Sequence, residues 1–326
     1  MIHVDVRRAA LEEWLHRELG GASFSLTPAS EDASFRRYFR ATLDDGATRI
    51  VMDAPPDKED CRPFVRIAGM LTAAGVHAPR VLARDLEQGF LLLSDLGTRT
   101  YLNELRADNA TALFGDATDA LMRWQLATRP GELPPYDEAL LRREMSLFLD
   151  WYVARHLGKA LGAAQKQALE SVFAALVKSA LAQPSVYVHR DYMPRNLMVS
   201  DPNPGVLDFQ DAVYGPITYD MVSLLRDAFI SWEEERVLDW TVRYWEKAGR
   251  AGLPVGADFG EFWRAFEWMG LQRHLKVLGI FARINYRDGK PKYLADTPRF
   301  LQYSRDVGKR YTALAPLVRL LDELAA

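Results

Sequence analysis

The sequence predicts an α+β chain in two lobes: a small antiparallel β-sheet with one main helix, then a larger, mostly helical lobe. Three observations predict it. Before residue 97 the apolar residues fall in short runs separated by turn formers. Beyond residue 98 they recur at helical spacing over long stretches. One compact run of short apolar segments, 186–209, interrupts those helices and carries a dense set of polar side chains. The boundary is expected near residue 97, giving 1–97 as one lobe and 98–326 as the other.

Val6, Ala10, Leu11, Trp14, Leu15 and Leu19 share helical spacing, and Gly20-Gly21 ends the run. The period then shortens: Phe24/Leu26, Phe35/Tyr38/Phe39 and Ile50-Val51-Met52 read as strands, with Pro28, Asp32 and Asp44-Asp45-Gly46 between them. Pro55-Pro56 closes the third. Residues 63–74 read as a helix with Pro63 in its first turn and Phe64, Ile67 and Leu71 on one face. Two more strands, 79–86 and 90–93, flank Glu87-Gln88-Gly89. Helical patterning then covers about 109–128, 138–157 and 163–182, and after the polar run 217–229, 232–249, 259–282, 298–312 and 316–325. There is no internal repeat or low-complexity linker.

Composition narrows the class. A hydrophobic share of 48% with 26% charged residues is that of a globular chain, and a net charge of −3 gives no reason to expect nucleic acid or anionic membrane as partner. The single cysteine, Cys61, excludes an internal disulfide and fits a reducing compartment. The first residues carry acids where a signal peptide has its apolar region, and no apolar run approaches a membrane span of about 20 residues. A cytoplasmic location with no protein partner is the expectation. No P-loop, G-x-G-x-x-G, H-E-x-x-H, C-x-x-C or G-x-S-x-G motif occurs.

The chemistry concentrates in Val186–Phe209. His189-Arg190-Asp191 is followed by Asn196 five positions after the aspartate, and by Asp208-Phe209 beyond a Pro/Gly turn. Two acids and an amide able to converge suit phosphoryl transfer, which needs a carboxylate for the acceptor hydroxyl and oxygen ligands for magnesium. At these residues the chain resembles the protein-kinase-like superfamily, and within it the aminoglycoside phosphotransferase/choline kinase group. The resemblance implies ATP and Mg2+ as cofactors, with ATP between the lobes. Asp191 would be catalytic, Asn196 and Asp208 would hold the metal, and His189 and Asp220 would brace the loop. Met193 stands where protein kinases carry lysine, and only a dozen residues separate Asp208 from Asp220. No long activation loop fits there, so the acceptor should be a small molecule.

On the nucleotide side, Ser94 and Leu96 match the segment whose backbone meets adenine. The loop 31–38 lacks the glycines of the group, and Asp53 stands near the expected lysine. Arg36, Arg37 or Lys58 should then supply the phosphate cation, with Asp53 pairing Arg66. On the acceptor side, Arg273, His274, Lys276 and Arg283 on one apolar stretch, with Arg195 in the catalytic loop, are the expected substrate contacts.

Three further segments extend the likeness: Ala33-Ser34-Phe35-Arg36-Arg37-Tyr38-Phe39-Arg40, Met52-Asp53-Ala54-Pro55-Pro56 and Gln272-Arg273-His274-Leu275-Lys276-Val277-Leu278-Gly279. With the catalytic loop, they look like the bacterial N-acetylmuramate/N-acetylglucosamine anomeric kinases of peptidoglycan recycling. That resemblance implies phosphorylation of a C1 hydroxyl. The alternatives are a kinase of another small hydroxyl acceptor (an aminoglycoside, an amino alcohol or another sugar) and a nucleotide-binding pseudokinase.

Overall fold

A computed structural model describes residues 5–30 and 35–325. The chain forms two compact units: Met1–Arg99 with Met198–Gln210, and Thr100–Leu197 with Asp211–Ala326. In the first unit, α1 (Val6–Glu18) begins at Asp5, whose carboxylate accepts the Arg8 N–H at 3.1 Å. Five strands follow in the order β1-β2-β3-β5-β4, each pair antiparallel: β1 (Phe24–Ser30), β2 (Arg37–Leu43), β3 (Thr48–Asp53), β4 (Val81–Asp85) and β5 (Phe90–Ser94). The helix α2 (Arg62–Ala73) lies between β3 and β4 in the chain. β1 is an edge strand, where Pro28 removes no ladder bond. Of the expected loop 31–38, Glu31–Ser34 lie outside the described residues.

The pleat sorts this sheet. Phe39, Ala41, Val51, Phe90 and Leu92 pack with Leu11, Trp14 and Leu15 of α1, every one of them buried. At about 1.5–3 kcal/mol for each large side chain, that face anchors the helix. Asp53 lies two residues beyond Val51 and therefore shares the face that α1 covers. This corrects the expected Asp53–Arg66 pair. Arg7 of α1 reaches one carboxylate oxygen with Nε at 3.0 Å, and Arg37, directly opposite on β2, reaches the other at 2.9 Å.

Met198–Gln210, counted with the helical lobe in the sequence reading, belongs to the first unit. The Val206 N–H donates to the His77 carbonyl at 2.7 Å, the Val199 N–H to the Arg99 carbonyl at 2.8 Å, and Phe209 packs on Phe64 at 4.7 Å.

The second unit opens with α3 (Tyr101–Glu104), α4 (Ala110–Leu126), α5 (Glu138–Leu147) and α6 (Ala163–Leu181). The strand β6 (Ser185–Val188) leads into the polar loop. Next in the chain come β7 (Leu197–Met198) and β8 (Gly205–Val206), of which Met198 and β8 are counted with the first unit, and in the second unit β9 (Val213–Pro216) pairs antiparallel with β6. Then come α7 (Tyr219–Leu225), α8 (Glu234–Arg250), α9 (Phe259–Asp288), α10 (Thr297–Arg310) and α11 (Ala315–Ala325). The expected single helix 138–157 changes pitch after Leu147 and runs as a π-helix from Phe148 to His156. That is where α9 comes closest: a Cβ on Gly279 would stand 2.2 Å from the Leu147 carbonyl carbon. α9 outruns its expected end by six residues, to Gly289 in the left-handed region at φ 68°. Among the described residues no helix is long and apolar enough to cross a membrane.

Candidate active site

β6 ends at Val188, and the backbone then turns sharply enough to place Arg190 at φ 76°. An L-residue there costs about 1–2 kcal/mol, so the turn must be held from outside. Asp220, in the first turn of α7 and fully buried, does so: its two oxygens accept the His189 N–H at 2.7 Å and the Arg190 N–H at 3.0 Å. Burial pushes the Asp220 carboxyl up to about 7, against the pull of those two donors. His189 is buried, and its Nδ1 accepts the Asp191 N–H at 3.3 Å, which leaves the ring proton on Nε2.

The loop then closes on itself. Asn196 Nδ2 and the Met193 N–H both donate to the Asp191 carbonyl, each at 2.9 Å, and the Asn196 N–H donates to Met193 at 2.8 Å. With its NH2 committed to Asp191, Asn196 turns its amide oxygen away from that bond, a hard donor of the kind magnesium takes. In the first unit, Asp208 also has left-handed backbone, φ 62°, and its Oδ1 accepts from Gln210 at 2.8 Å. Among the described residues no three His, Cys, Asp or Glu side chains group to hold a metal by themselves.

The remaining predicted residues divide by surroundings. Arg36 pairs with Glu59 at 3.0 Å, and Arg37 is bonded to both Asp53 and Asp5. Lys58 is half exposed beside Asp57 at 3.5 Å. The Ser94 N–H donates to the Arg80 carbonyl, and its hydroxyl accepts the Arg80 N–H, both at 2.9 Å. Leu96 follows the Asp95 carboxylate, which Arg40 of β2 grips with two nitrogens at 2.6 and 3.1 Å. Arg195 lies over the Phe229 ring at 5.3 Å.

On α9, Arg273 is buried with one guanidinium nitrogen lacking a hydrogen-bond partner among the described residues. His274 stacks on Tyr303 at 5.1 Å, and burial, then Arg273, push its pKa well down, so the ring is neutral. Arg283 is lowered by burial and by Arg287, and its Nε has no hydrogen-bond partner among the described residues. Lys276 does not stand in an open pocket. Its ammonium meets Glu144 of α5 and the Tyr219 hydroxyl, each at 2.9 Å.

Sequence reasoning missed Glu144. It also binds Arg190 at 2.5 Å. One signal was available: an acid among Leu141, Met145 and Phe148, on the apolar face of its helix.

The profile of the phosphotransferase enzyme family matches residues 25–259. A Pseudomonas putida protein named N-acetylmuramate/N-acetylglucosamine kinase is 55% identical, over 99% of this chain and 98% of its own. A Pseudomonas aeruginosa protein of the same name is 58% identical, over 92% of this chain and 88% of its own. Among solved structures, an aminoglycoside phosphotransferase in ternary complex with streptomycin and ATP superposes with a TM-score of 0.61. It is 16% identical, over 93% of this chain and 97% of its own, and so speaks for the fold alone. With a family profile spanning most of its length and relatives identical at more than half of their aligned positions, the chain belongs to the phosphotransferase enzyme family.

Proposed function

We propose that this phosphotransferase moves the terminal phosphoryl group of ATP onto the anomeric C1 hydroxyl of N-acetylmuramate and N-acetylglucosamine. The observation that carries the reading is near-full-length identity to kinases named for those two sugars. Asp191, on a turn held by Asp220, orients the C1 hydroxyl and accepts its proton as the oxygen attacks phosphorus. Asn196, through its amide oxygen, and Asp208, through its carboxylate, would hold Mg2+, and the donor set suits that cation. When bound, the metal neutralises charge on the phosphates; the residues contribute position. Ser94 and Leu96 would receive adenine by their backbones.

Arg36, Arg37 and Lys58 are the candidates for the phosphates, and Lys58 is the least committed to neighbouring carboxylates. Arg195, Arg273, His274, Lys276 and Arg283 would serve the acceptor. Arg283 is favoured for the N-acetylmuramate carboxylate, because an anion would offset the burial and the Arg287 repulsion that lower its pKa. The product would be a sugar 1-phosphate, a form in which the sugar can return to peptidoglycan precursors in the cytoplasm.

The test is ADP release over a panel: the two N-acetyl sugars, glucosamine, an aminoglycoside and an amino alcohol, with the phosphate located by NMR. Turnover with the two N-acetyl sugars and phosphorus coupled to C1 is expected. Turnover confined to the other acceptors, or phosphate on another carbon, overturns the reading.

A further inference from the structure

We propose that Glu144 is a positioning residue for the catalytic loop: through the Arg190 side chain it holds the turn on which Asp191 stands. The inference rests on Asp191 acting as the carboxylate described above.

Arg190 is secured at three points. Its N–H is on Asp220 at 3.0 Å, its carbonyl accepts from Ser223 at 3.4 Å, and its guanidinium is on Glu144 at 2.5 Å. The guanidinium also lies over the Tyr136 ring at 5.9 Å and donates to the Asp211 carbonyl at 3.4 Å. A glycine would occupy φ 76° without strain. Arginine at that position is a costly choice unless its side chain is used, and its use here is to reach Glu144.

Glu144 is equally committed. Its side chain is 6% exposed; one oxygen takes Arg190 and Lys276, and the other takes the Tyr136 hydroxyl and Gln272 Nε2 at 3.3 Å. Burial alone would raise this carboxyl, but Lys276 and Arg190 outweigh it and hold it at about 2. Two buried cations on one acid leave a surplus positive charge. The charge of Asp191 acts on both Arg190 and Lys276, so the four groups together are neutral. Remove the Glu144 charge and two cations are left to compete for Asp191, the group that must face the acceptor.

The experiment compares Glu144→Gln, Arg190→Gly and the double variant, with kcat, both KM values and Tm measured on each. Glu144→Gln should lower kcat about ten- to a hundredfold, the scale of a misplaced reacting group, with KM for ATP within twofold of wild type. Arg190→Gly relieves the backbone strain and leaves the Glu144–Lys276 pair intact, so it carries the test even if the glutamine variant folds poorly. It too should lose kcat while keeping most of its Tm, and Arg190→Lys should recover part of it. The double variant should be no slower than the worse single one, because both break the same link. Unchanged kcat in folded Arg190→Gly, or losses that multiply in the double variant, would overturn the proposal. Asp191→Asn separates the two levels: near-normal turnover there removes the underlying reading, whereas a dead Asp191→Asn beside a fully active Arg190→Gly removes only this inference.

Discussion

Two glycines on one helix should respond to alanine with opposite signs. Gly279 and Gly270 are both buried on α9, and in a helix interior alanine is favoured over glycine by about 1 kcal/mol. A Cβ at Gly270 would have its nearest neighbours at 3.6 Å (Val222) and 3.7 Å (His274), ordinary contact distances. A Cβ at Gly279 would stand 2.2 Å from the Leu147 carbonyl carbon and 2.4 Å from its oxygen. Carbon atoms settle at about 3.5–4.0 Å, so α9 and the end of α5 would have to part by more than about 1 Å. The obstacle is backbone, which cannot swing aside as a side chain would, and it lies where α5 passes into the π-helical segment. Overpacking of this kind costs about 1–3 kcal/mol, and more where backbone must move. Gly270→Ala should therefore gain up to about 1 kcal/mol, and Gly279→Ala should lose about 1–2 net of its propensity gain. Urea unfolding of both variants against wild type measures the difference. Equal stabilisation by the two alanines would refute the close approach of α9 to α5.

Three other outcomes follow from the site. Asp191→Asn should retain ATP binding by calorimetry and lose nearly all turnover; turnover near wild type would remove Asp191 from the chemistry. Asp220→Ala strands two backbone donors in a fully buried position, each costing about 1–3 kcal/mol, and should lower kcat as well as Tm, with Asp220→Asn intermediate. An alanine variant with wild-type stability would mean that the turn is held by something else. Glu144, lowered from 4.5 to about 2, binds fewer protons folded than unfolded. It contributes on the order of 3 kcal/mol, present above about pH 4.5 and lost as pH falls towards 2. The stability difference between wild type and Glu144→Gln should shrink between pH 6 and pH 3; a constant difference would contradict the depressed carboxyl.

What the sequence makes legible is what lies close together in it. His189, Asp191 and Asn196 fall within eight consecutive positions, so their spacing predicts one polar loop, and the structure closes it with Asn196 on the Asp191 carbonyl. The sheet and most helices are legible for the same reason, since periodicity is local. Asp53 shows where that stops. Its pattern gives the face it lies on, but not that α1 covers that face with Arg7, 46 positions away in the chain. Arg66 looked the better partner only because it lies on the next element along.

The basic residues of α9 show the same limit from the other side. Counted on their own helix, Lys276 and Arg273 form a positive face, and a positive face suggests an anionic ligand. The charge that answers Lys276 comes from α5, where Glu144 sits among leucine, methionine and phenylalanine. A buried acid on an apolar helix face is rare unless it is paired. The buried glutamate of α5, Glu144, and the excess cations in α9 and the catalytic loop are therefore two halves of one pattern. Each half was visible in the sequence, and only the packing of α5 against α9 joined them. Of the four α9 residues proposed as acceptor contacts, Arg283 is the one with the strongest electrostatic argument. It is the guanidinium on that helix that burial and Arg287 push down, so it stands to gain most from a carboxylate on the substrate.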